Sequence, residues 1–587
     1  MKHTLLALLA AVAVPGIAHA QAVYPIDRAT ILSGAKFDFK VELPKVLPQK
    51  DIKVTINGED AEKMLGSSFT YIEKEDGADV SSLIIRDAAV AKPGDYVVEV
   101  SAGDVSKKVN WSIFGTPAER RAKNVIFLLG DGLSVAHRTG ARIMSKGNTE
   151  GKANGRLAMD DLPAMAFIGT SSTDSIAADS ANTMSSYMTG HKSAVNALGV
   201  YASRAKSSLE HPKQETIAEI IRRNTTMSVG IVSGAELQDA TPAAVVGHTR
   251  RRADKAELMA DIFNVKPEVI LGGGSAYFLP KSTPGSKRKD DIDYIAKFRD
   301  AGYAVATTEE EMTKAARESN AGKLLGLFHP GNMDVTLDRK FLKKGTVGKF
   351  PNQLGTVEMM QAALSVLSKN PEGFFLMVEG ASIDKMSHPL DWERALVDTI
   401  EFDKAVAVAQ AFAKSNPDTL IIVTGDHTHG TSIIGAINDD KPGDEMREKV
   451  GTYAEAGFPN YTDADKDGYP DRVDVSRRLA MFANNFPDYY ETFRPKLDDP
   501  FVPAVQNEKK QYVANEAYKN VPGAVLRVGN LPKDADTGVH AVDDVVLQAQ
   551  GPGAEMLHGY MENTDVFRVM ADALALGRTP VQQKAQK

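Results

Sequence analysis

Two textures of hydrophobic and polar positions divide the chain. From about Gln21 to Gly115, short β-branched and aromatic runs (Phe37-Asp38-Phe39-Lys40-Val41, Val54-Thr55-Ile56, Ser81-Ser82-Leu83-Ile84-Ile85 and Tyr96-Val97-Val98-Glu99-Val100) alternate with glycine, proline and Asn/Asp turns. Runs of this kind read as strands. With no sustained helical period between them, they predict a small antiparallel β-sandwich of the immunoglobulin-like kind over residues 21–115. That stretch holds no cluster of candidate catalytic groups, which gives it the character of a packing or docking module.

From Asn124 the pattern changes. Val125-Ile126-Phe127-Leu128-Leu129 is a continuous apolar run ending at Gly130-Asp131-Gly132, as expected of a strand buried on both faces that delivers a carboxylate at its carboxyl end. The pattern recurs at 228–232, 269–271, 373–378 and 420–423, with amphipathic helical stretches at 215–222, 356–368 and 392–414. Strand, polar turn and helix in repetition predict an α/β fold, a mostly parallel sheet flanked by helices with its site at the carboxyl ends of the strands. Near Ala436 the alternation stops, and charge, Pro, Tyr and Phe dominate to about Asp536 before a strand-like 544–548 and a helical 563–576. A catalytic domain over 120–587, interrupted by an insertion at about 437–536, is the predicted organisation.

Residues 1–20 have the pattern of an export signal: Lys2, an apolar run Leu5 to Val14, and Ala18-His19-Ala20 as a cleavage site. A mature chain from Gln21 and a periplasmic or secreted location are expected. No later apolar stretch reaches the ~18 residues of a membrane span. The 587 residues, 43% hydrophobic, suffice for a large core. Lys plus Arg (69) fall short of Asp plus Glu (77), and the net charge of −8 argues against a nucleic-acid partner. With no cysteine, disulfides, thiolate metal sites and Cys nucleophiles are excluded, so a metal must be held by His, Asp, Glu or hydroxyl groups.

Five turns present such groups. Asp131 follows the first buried strand. Asp179-Ser180-Ala181-Asn182-Thr183 opens a helical stretch leading to Thr189-Gly190-His191-Lys192, so Ser180 and nearby backbone N–H groups face a shared anion site. Glu236-Leu237-Gln238-Asp239-Ala240-Thr241-Pro242 precedes the basic run Arg250-Arg251-Arg252, any of which could point inward at a phosphate. Glu379 ends a strand, and Asp384 and His388, four apart, share one face of the helical turn that follows. Asp426-His427-Thr428-His429 ends another strand, and His540 stands alone in a late loop.

Taken in this order, Asp179-Ser180-Ala181 with Thr189-Gly190-x-Lys192, Glu236 to Pro242 with Arg252, Val378 to Lys385 with His388, Asp426-His427-x-His429 and Gly538-x-His540 resemble the bacterial alkaline phosphatases over about 124–436 and from 536 on. The resemblance implies a metal-dependent phosphomonoesterase that acts on small-molecule phosphate monoesters and releases inorganic phosphate, with Ser180 as nucleophile. It implies two zinc ions, one held by Asp384, His388 and His540, the other by Asp131, Asp426 and His427. It implies one magnesium held by Asp131, Thr241 and Glu379. Arg252 would clamp two phosphate oxygens, Asp239 would orient it or the magnesium-bound waters, and Lys385 would reach the phosphate through water. His429 would steady a zinc ligand. Members are often homodimers, so a homodimer is an expectation here too. Related phosphodiesterases lack the counterparts of the magnesium triad and the arginine clamp.

The insertion carries a second metal signal. Asp463, Asp465, Asp467, Asp471 and Asp474 occupy positions 1, 3, 5, 9 and 12 of an EF-hand-type loop with Gly468 at 6, and Tyr469 would add its carbonyl. Asp replaces the usual final Glu, and calcium in a structural clip is the expectation.

Overall fold

The computed structural model describes residues 21–318, 322–441 and 443–577; the expected export signal lies outside them. The N-terminal runs do form strands. Ala22–Tyr24, Lys36–Glu42, Ser82–Ala89 and Thr70–Ile72 make one sheet, and Ala29–Leu32, Val105–Phe114, Gly94–Ala102, Ile52–Ile56 and Glu59–Asp60 make a second. Alternation explains the layering: in Gly94–Ala102, Val98 and Val100 are buried while Glu99 and Ser101 are exposed. Between the sheets Trp111 meets Phe37 and Phe39 edge-on, at centroid distances of 5.5 and 5.3 Å. Two details depart from the antiparallel, helix-free expectation. Ala29–Leu32 runs parallel to Trp111–Phe114. A short helix, Ala61–Leu65, is capped by the Asp60 carboxylate and closed by Gly66 in the left-handed region, a local signal too brief to show as a period.

Ten strands make the main sheet, in the order Ala304–Ala306, Leu324–Leu327, Val269–Gly273, Ser228–Glu236, Phe374–Gly380, Asn124–Gly130, Thr419–Gly425, Val545–Gln550, Ala164–Gly169 and Gly559–Glu562. Only Val545–Gln550 runs antiparallel to its neighbours. Phe374–Gly380, Asn124–Gly130 and Thr419–Gly425, at the centre, are buried at every position, which is why they read as unbroken apolar runs. Their register aligns Gly130 with both Gly380 and Gly425, and Ser233 with Glu379. Asp131, Glu379 and Asp426 therefore emerge at one level of the sheet's carboxyl edge.

Amphipathic helices cover the sheet. In Ile217–Asn224, Ile217, Ala218, Ile220 and Ile221 face the core, and Thr216 and Glu219 form a reciprocal capping box at its start. Past Gly425 the chain leaves the sheet: Thr431–Asn438 pairs with Arg477–Ala483, and two smaller strand pairs follow, Tyr489–Glu491 with Val525–Arg527 and Ala504–Gln506 with Tyr512–Ala514. Returning toward the strand ends, Gly538 N donates to His388 O at 2.8 Å and Val539 N to Asn485 Oδ1 at 2.7 Å, which fixes the turn bearing His540. Among the described residues no helix is long and apolar enough to cross a membrane.

Candidate active site

Ser180 is the first residue of the helix Ser180–Thr189, whose ten residues are all buried. Asp179 caps it, accepting from Asn182 N at 3.1 Å, while Asn182 Oδ1 accepts from Asp179 N at 2.8 Å. The Ser180 hydroxyl lies 3.5 Å from Asp131 Oδ1 and 3.2 Å from His427 Nε2.

Two groups of ligand-type side chains converge beside it. Asp384, His388, His429 and His540 form one, and Asp131, Asp426 and His427 the other, with the ligand atoms of each group within 4.8 Å of one another. In the first, Asp384 Oδ1 is 3.3 Å from His388 Nε2, 3.4 Å from His540 Nε2 and 2.6 Å from His429 Nε2. His388 Nδ1 pairs with Gly538 O and His540 Nδ1 with Ala178 O, each at 2.7 Å. A carbonyl can only accept, so both Nδ1 atoms carry a proton, and both Nε2 atoms face Asp384, where each donates to the carboxylate when its ring is charged and offers a lone pair to a metal when it is neutral. The His427 and His540 rings stack at 3.4 Å and join the two groups.

In the second group, His427 Nε2 is 3.4 Å from Asp131 Oδ1 and 3.3 Å from Asp426 Oδ2. Asp426 Oδ1 is taken by the backbone N–H of Gly132 and of His427, at 2.9 and 3.0 Å. Asp426 Oδ2 and Thr241 Oγ1, by contrast, are buried with no hydrogen-bond partner. Buried polar atoms seldom stay unpaired. A cation bound here would give these two oxygens the partner they lack. Gly132 allows the close packing here: it has φ +68°, and a Cβ there would come within 2.7 Å of His429.

Electrostatics lead to the same conclusion. Burial, reinforced by Asp384, Asp426 and Glu379, pushes the Asp131 carboxyl far up, and burial lifts Glu379 to about 7 and Asp426 to about 6. Packed carboxylates of this kind resist ionisation unless positive charge joins them. Burial would also raise Asp384, but His388, His429 and His540 outweigh it and hold that group well below the usual range. Glu379 also accepts a short hydrogen bond from Ser233 Oγ, which fixes its orientation.

On the other side of Ser180 the charges are basic. Arg252 reaches Asp179 Oδ2 at 3.3 Å and Asp239 Oδ1 at 3.2 Å, and Lys385 Nζ meets Asp239 Oδ2 at 2.9 Å. Burial disfavours both cations, but Asp239 and neighbouring carboxylates, Asp131 among them, raise the pKa of each. The other two arginines of the run turn away: Arg250 donates to Val195 O at 2.7 Å and Arg251 pairs with Asp254 at 2.5 Å. Lys192 and His191 also point elsewhere, toward Glu562 and Tyr201.

Several participants escape a reading of the sequence. Asp179, visible as a helix cap, also pairs with Arg252. Lys255, 3.6 Å from Asp239 and 2.5 Å from Glu236, adds a third cation around Asp239. His137, buried on the far side of the site, contacts Ser134 Oγ and Ser387 Oγ at 2.8 and 2.7 Å and ties down the helix that bears Asp384. No local pattern marks these contacts, because each joins segments distant in sequence or uses an ordinary surface residue type.

In the insertion Asp463, Asp465 and Asp467 come together, with Asp463 Oδ1 buried and without a hydrogen-bond partner. Asp471 and Asp474 stand outside that group. The Asp471 carboxylate accepts instead from Thr462 Oγ1 at 2.7 Å and from Ala464 N at 3.1 Å, and the Tyr469 hydroxyl bonds Glu401.

The family model described as alkaline phosphatase matches residues 122–576. Among curated relatives, the tissue-nonspecific alkaline phosphatase of Gallus gallus is 30% identical over 494 residues, covering 78% of this chain and 85% of that protein. The Gadus morhua alkaline phosphatase is 28% identical over 495 residues, covering 78% and 93%. Among solved structures, that of the Thermus thermophilus alkaline phosphatase matches with a TM-score of 0.54 at 24% identity, covering 79% of this chain and 93% of that one. The enzyme from the Antarctic bacterium TAB5 matches with a TM-score of 0.51 at 20% identity, covering 78% and 99%.

Proposed function

The chain belongs to the alkaline phosphatase family, whose members hydrolyse phosphate monoesters, and from that premise we propose that it does so through a covalent phosphoserine at Ser180. The observation that carries this reading is the position of Ser180 Oγ, 3.5 Å from Asp131 and 3.2 Å from His427 at the start of a buried helix.

The donor sets fit the metals the family uses. Asp384, His388 and His540 would hold one zinc, and Asp131, Asp426 and His427 a second, since mixed imidazole and carboxylate sets suit that ion. Asp131, Thr241 and Glu379 would hold magnesium, which prefers an all-oxygen shell. When bound, these ions supply Lewis-acid charge neutralisation at the serine, the phosphoryl oxygens and the leaving oxygen.

The chain's own residues do the rest. Ser180 Oγ gives up its proton and forms a bond to phosphorus as the bond to the leaving oxygen breaks, and the leaving oxygen takes up one proton and departs as an alcohol. A water then attacks phosphorus, the bond to the serine oxygen breaks, one proton of the water restores the serine hydroxyl, and inorganic phosphate is released. Arg252, braced by Asp179 and Asp239, is aligned to grip two phosphoryl oxygens. Lys385 adds positive charge behind Asp239. His429 steadies Asp384 through their 2.6 Å contact. Because Arg252, Lys385 and the ions would all act on the phosphoryl group, a broad range of monoesters is expected, and Arg252 with the Thr241 and Glu379 oxygens favours monoesters over diesters.

Arg252→Ala should lower kcat/KM for a monoester by about 1.5–3 kcal/mol, roughly 10- to 150-fold, as the loss of a charge-assisted two-point contact would. Arg250→Ala or Arg251→Ala proving more damaging in the same assay would show that the wrong arginine has been assigned.

In the insertion we propose a calcium clip built on Asp463, Asp465 and Asp467, supported by the unpartnered Asp463 Oδ1. Asp471 and Asp474, with the Tyr469 carbonyl, would complete it only after the Asp471 contacts to Thr462 and Ala464 rearrange. Calcium at about 100 times its Kd should then stabilise the fold by about 2.7 kcal/mol. Thermal melting with and without calcium, in zinc- and magnesium-loaded protein, reads this directly. Identical midpoints, or an unchanged response in Asp463→Ala, would remove the site.

Export to the periplasm or medium is proposed on the pattern of residues 1–20, and N-terminal sequencing of the mature protein should begin at Gln21. A homodimer, the family's common state, is the corresponding proposal for assembly, to be read by sedimentation.

A further inference from the structure

Arg252 has little structure of its own. It lies in an irregular stretch just before the helix Lys255–Val265, and its backbone is hung from a neighbouring loop. Arg252 N donates to Asn196 O at 2.9 Å, Arg250 N to Ser208 O at 2.8 Å, and Thr249 and Leu198 exchange both backbone hydrogen bonds, at 2.8 and 2.9 Å. The same loop touches the nucleophile helix, where Gly199 N donates to Ser185 Oγ at 2.9 Å and Asn196 N to Asp179 Oδ1 at 3.1 Å. Whatever fixes the loop at 195–214 therefore fixes Arg252 relative to Ser180.

The loop is a weak hairpin by itself. Its arms meet at the bridge Val200–Lys213 and through Tyr201 N to Pro212 O and Gln214 N to Gly199 O, and a two-stranded hairpin is marginal alone. Its tip is held by the N-terminal sandwich. The Arg204 guanidinium enters that domain and donates from Nε to Glu75, from one terminal nitrogen to Leu43 O and from the other to Ser81 O, each at 2.6 Å. Arg204 N donates to Glu42 at 3.0 Å. Lys40, only 2% exposed, pairs with both Glu42 and Glu75, so that two cations and two carboxylates close a charge-balanced buried network. Around it, Tyr24 OH donates to Ala202 O, Lys206 donates from its backbone N to the Asp76 carboxylate and from Nζ to Asp76 O, and Arg86 bridges Asp38 and Glu210.

We propose that the N-terminal sandwich is a working part of the active site: Arg204, seated in the sandwich, is a positioning residue that holds the 195–214 hairpin where Arg252 is aligned with the substrate phosphate. This rests on the reading of Arg252 as the phosphate clamp. It gives the N-terminal domain a task in catalysis although it contributes no group to the reacting atoms. It also explains why so many charged groups are buried at a junction that apolar packing alone could have filled, since a charge network fixes register as well as contact.

The test is a double-mutant cycle on the full, metal-loaded chain with a simple aryl phosphate as substrate and inorganic phosphate as competing ligand. Arg204→Ala should lower kcat/KM about tenfold, as a small misplacement of a substrate-positioning group does. It should weaken inhibition by phosphate by a similar factor and leave the zinc content unchanged. In an Arg252→Ala background the same substitution should change kcat/KM by less than about twofold, because the contact it protects is already gone. Arg204→Lys, which keeps the charge but loses the planar fork, should rescue only part of the loss. If Arg204→Ala does not fold, the paired surface changes Arg86→Ala and Lys206→Ala loosen the same junction and are read the same way. Equal losses in both backgrounds, or no loss from either set, would overturn the hairpin's role. An Arg252→Ala variant with full kcat/KM would instead overturn the clamp reading, and this proposal with it. Lys45→Ala, at an exposed pair on the sandwich, serves as the control that should change nothing.

Discussion

Replacement of Ser180 by alanine is expected to lower turnover of a phosphate monoester by on the order of 10⁴- to 10⁶-fold while leaving the zinc content intact. The size follows from the proposed role: without the hydroxyl no phosphoserine could form, and the site's remaining power would come from charge neutralisation alone. Metal retention follows from the geometry. Ser180 Oγ lies beside both Asp131 and His427, yet neither ligand group depends on it for its own contacts. Quenching in acid during turnover of a labelled monoester should leave label on the peptide that contains Ser180. Label on a different peptide, or near-normal turnover by Ser180→Ala, would remove the serine from the mechanism.

The second large effect is expected from Asp384→Asn. One carboxylate oxygen, Asp384 Oδ1, is the common neighbour of His388, His540 and His429, so it is the centre of the first ligand group. Residues that only support a ligand are worth about 10–100-fold in metal affinity or activity. His429→Ala should fall in that range. Loss of the ligand itself should exceed it, with kcat/KM down on the order of 10³-fold and about one zinc per chain missing from the purified protein. Added zinc should restore part of the activity of His429→Ala and much less of that of Asp384→Asn. Full zinc content and activity in Asp384→Asn would mean that the first group is not a zinc site, whatever its geometry suggests.

The candidate site was legible in the sequence to an unequal degree along the chain. Asp131, Glu379 and Asp426 could be recognised because each ends an unbroken apolar run, and the register of the central strands does bring them to one level. Asp384 and His388 could be paired because four residues make one helical turn. The helix start at Ser180 was visible because a cap followed by a buried helix is a local signal. Within its run, Arg252 is singled out in the sequence by resemblance alone. Composition cannot rank three consecutive arginines, whereas the contacts of Arg250 with Val195 and of Arg251 with Asp254 take those two out of the site.

What the sequence determined by itself is therefore whatever is encoded within a few residues: buried strands, caps, turn carboxylates, the acidic turn at 463–467 and the division into two textures, since local backbone preference and hydrophobic period act over that range. What only the tertiary structure decided is how residues far apart meet. His540 joins Asp384 from 156 positions away through a turn held by Gly538 and Asn485, and Asp239 gathers Arg252, Lys255 and Lys385. Arg204 buries its charge in a domain more than a hundred residues earlier in the chain. These contacts have no sequence pattern because an ion pair or a ligand set depends on separation in space, and that separation is set by the packing of the whole sheet and of the sandwich against it.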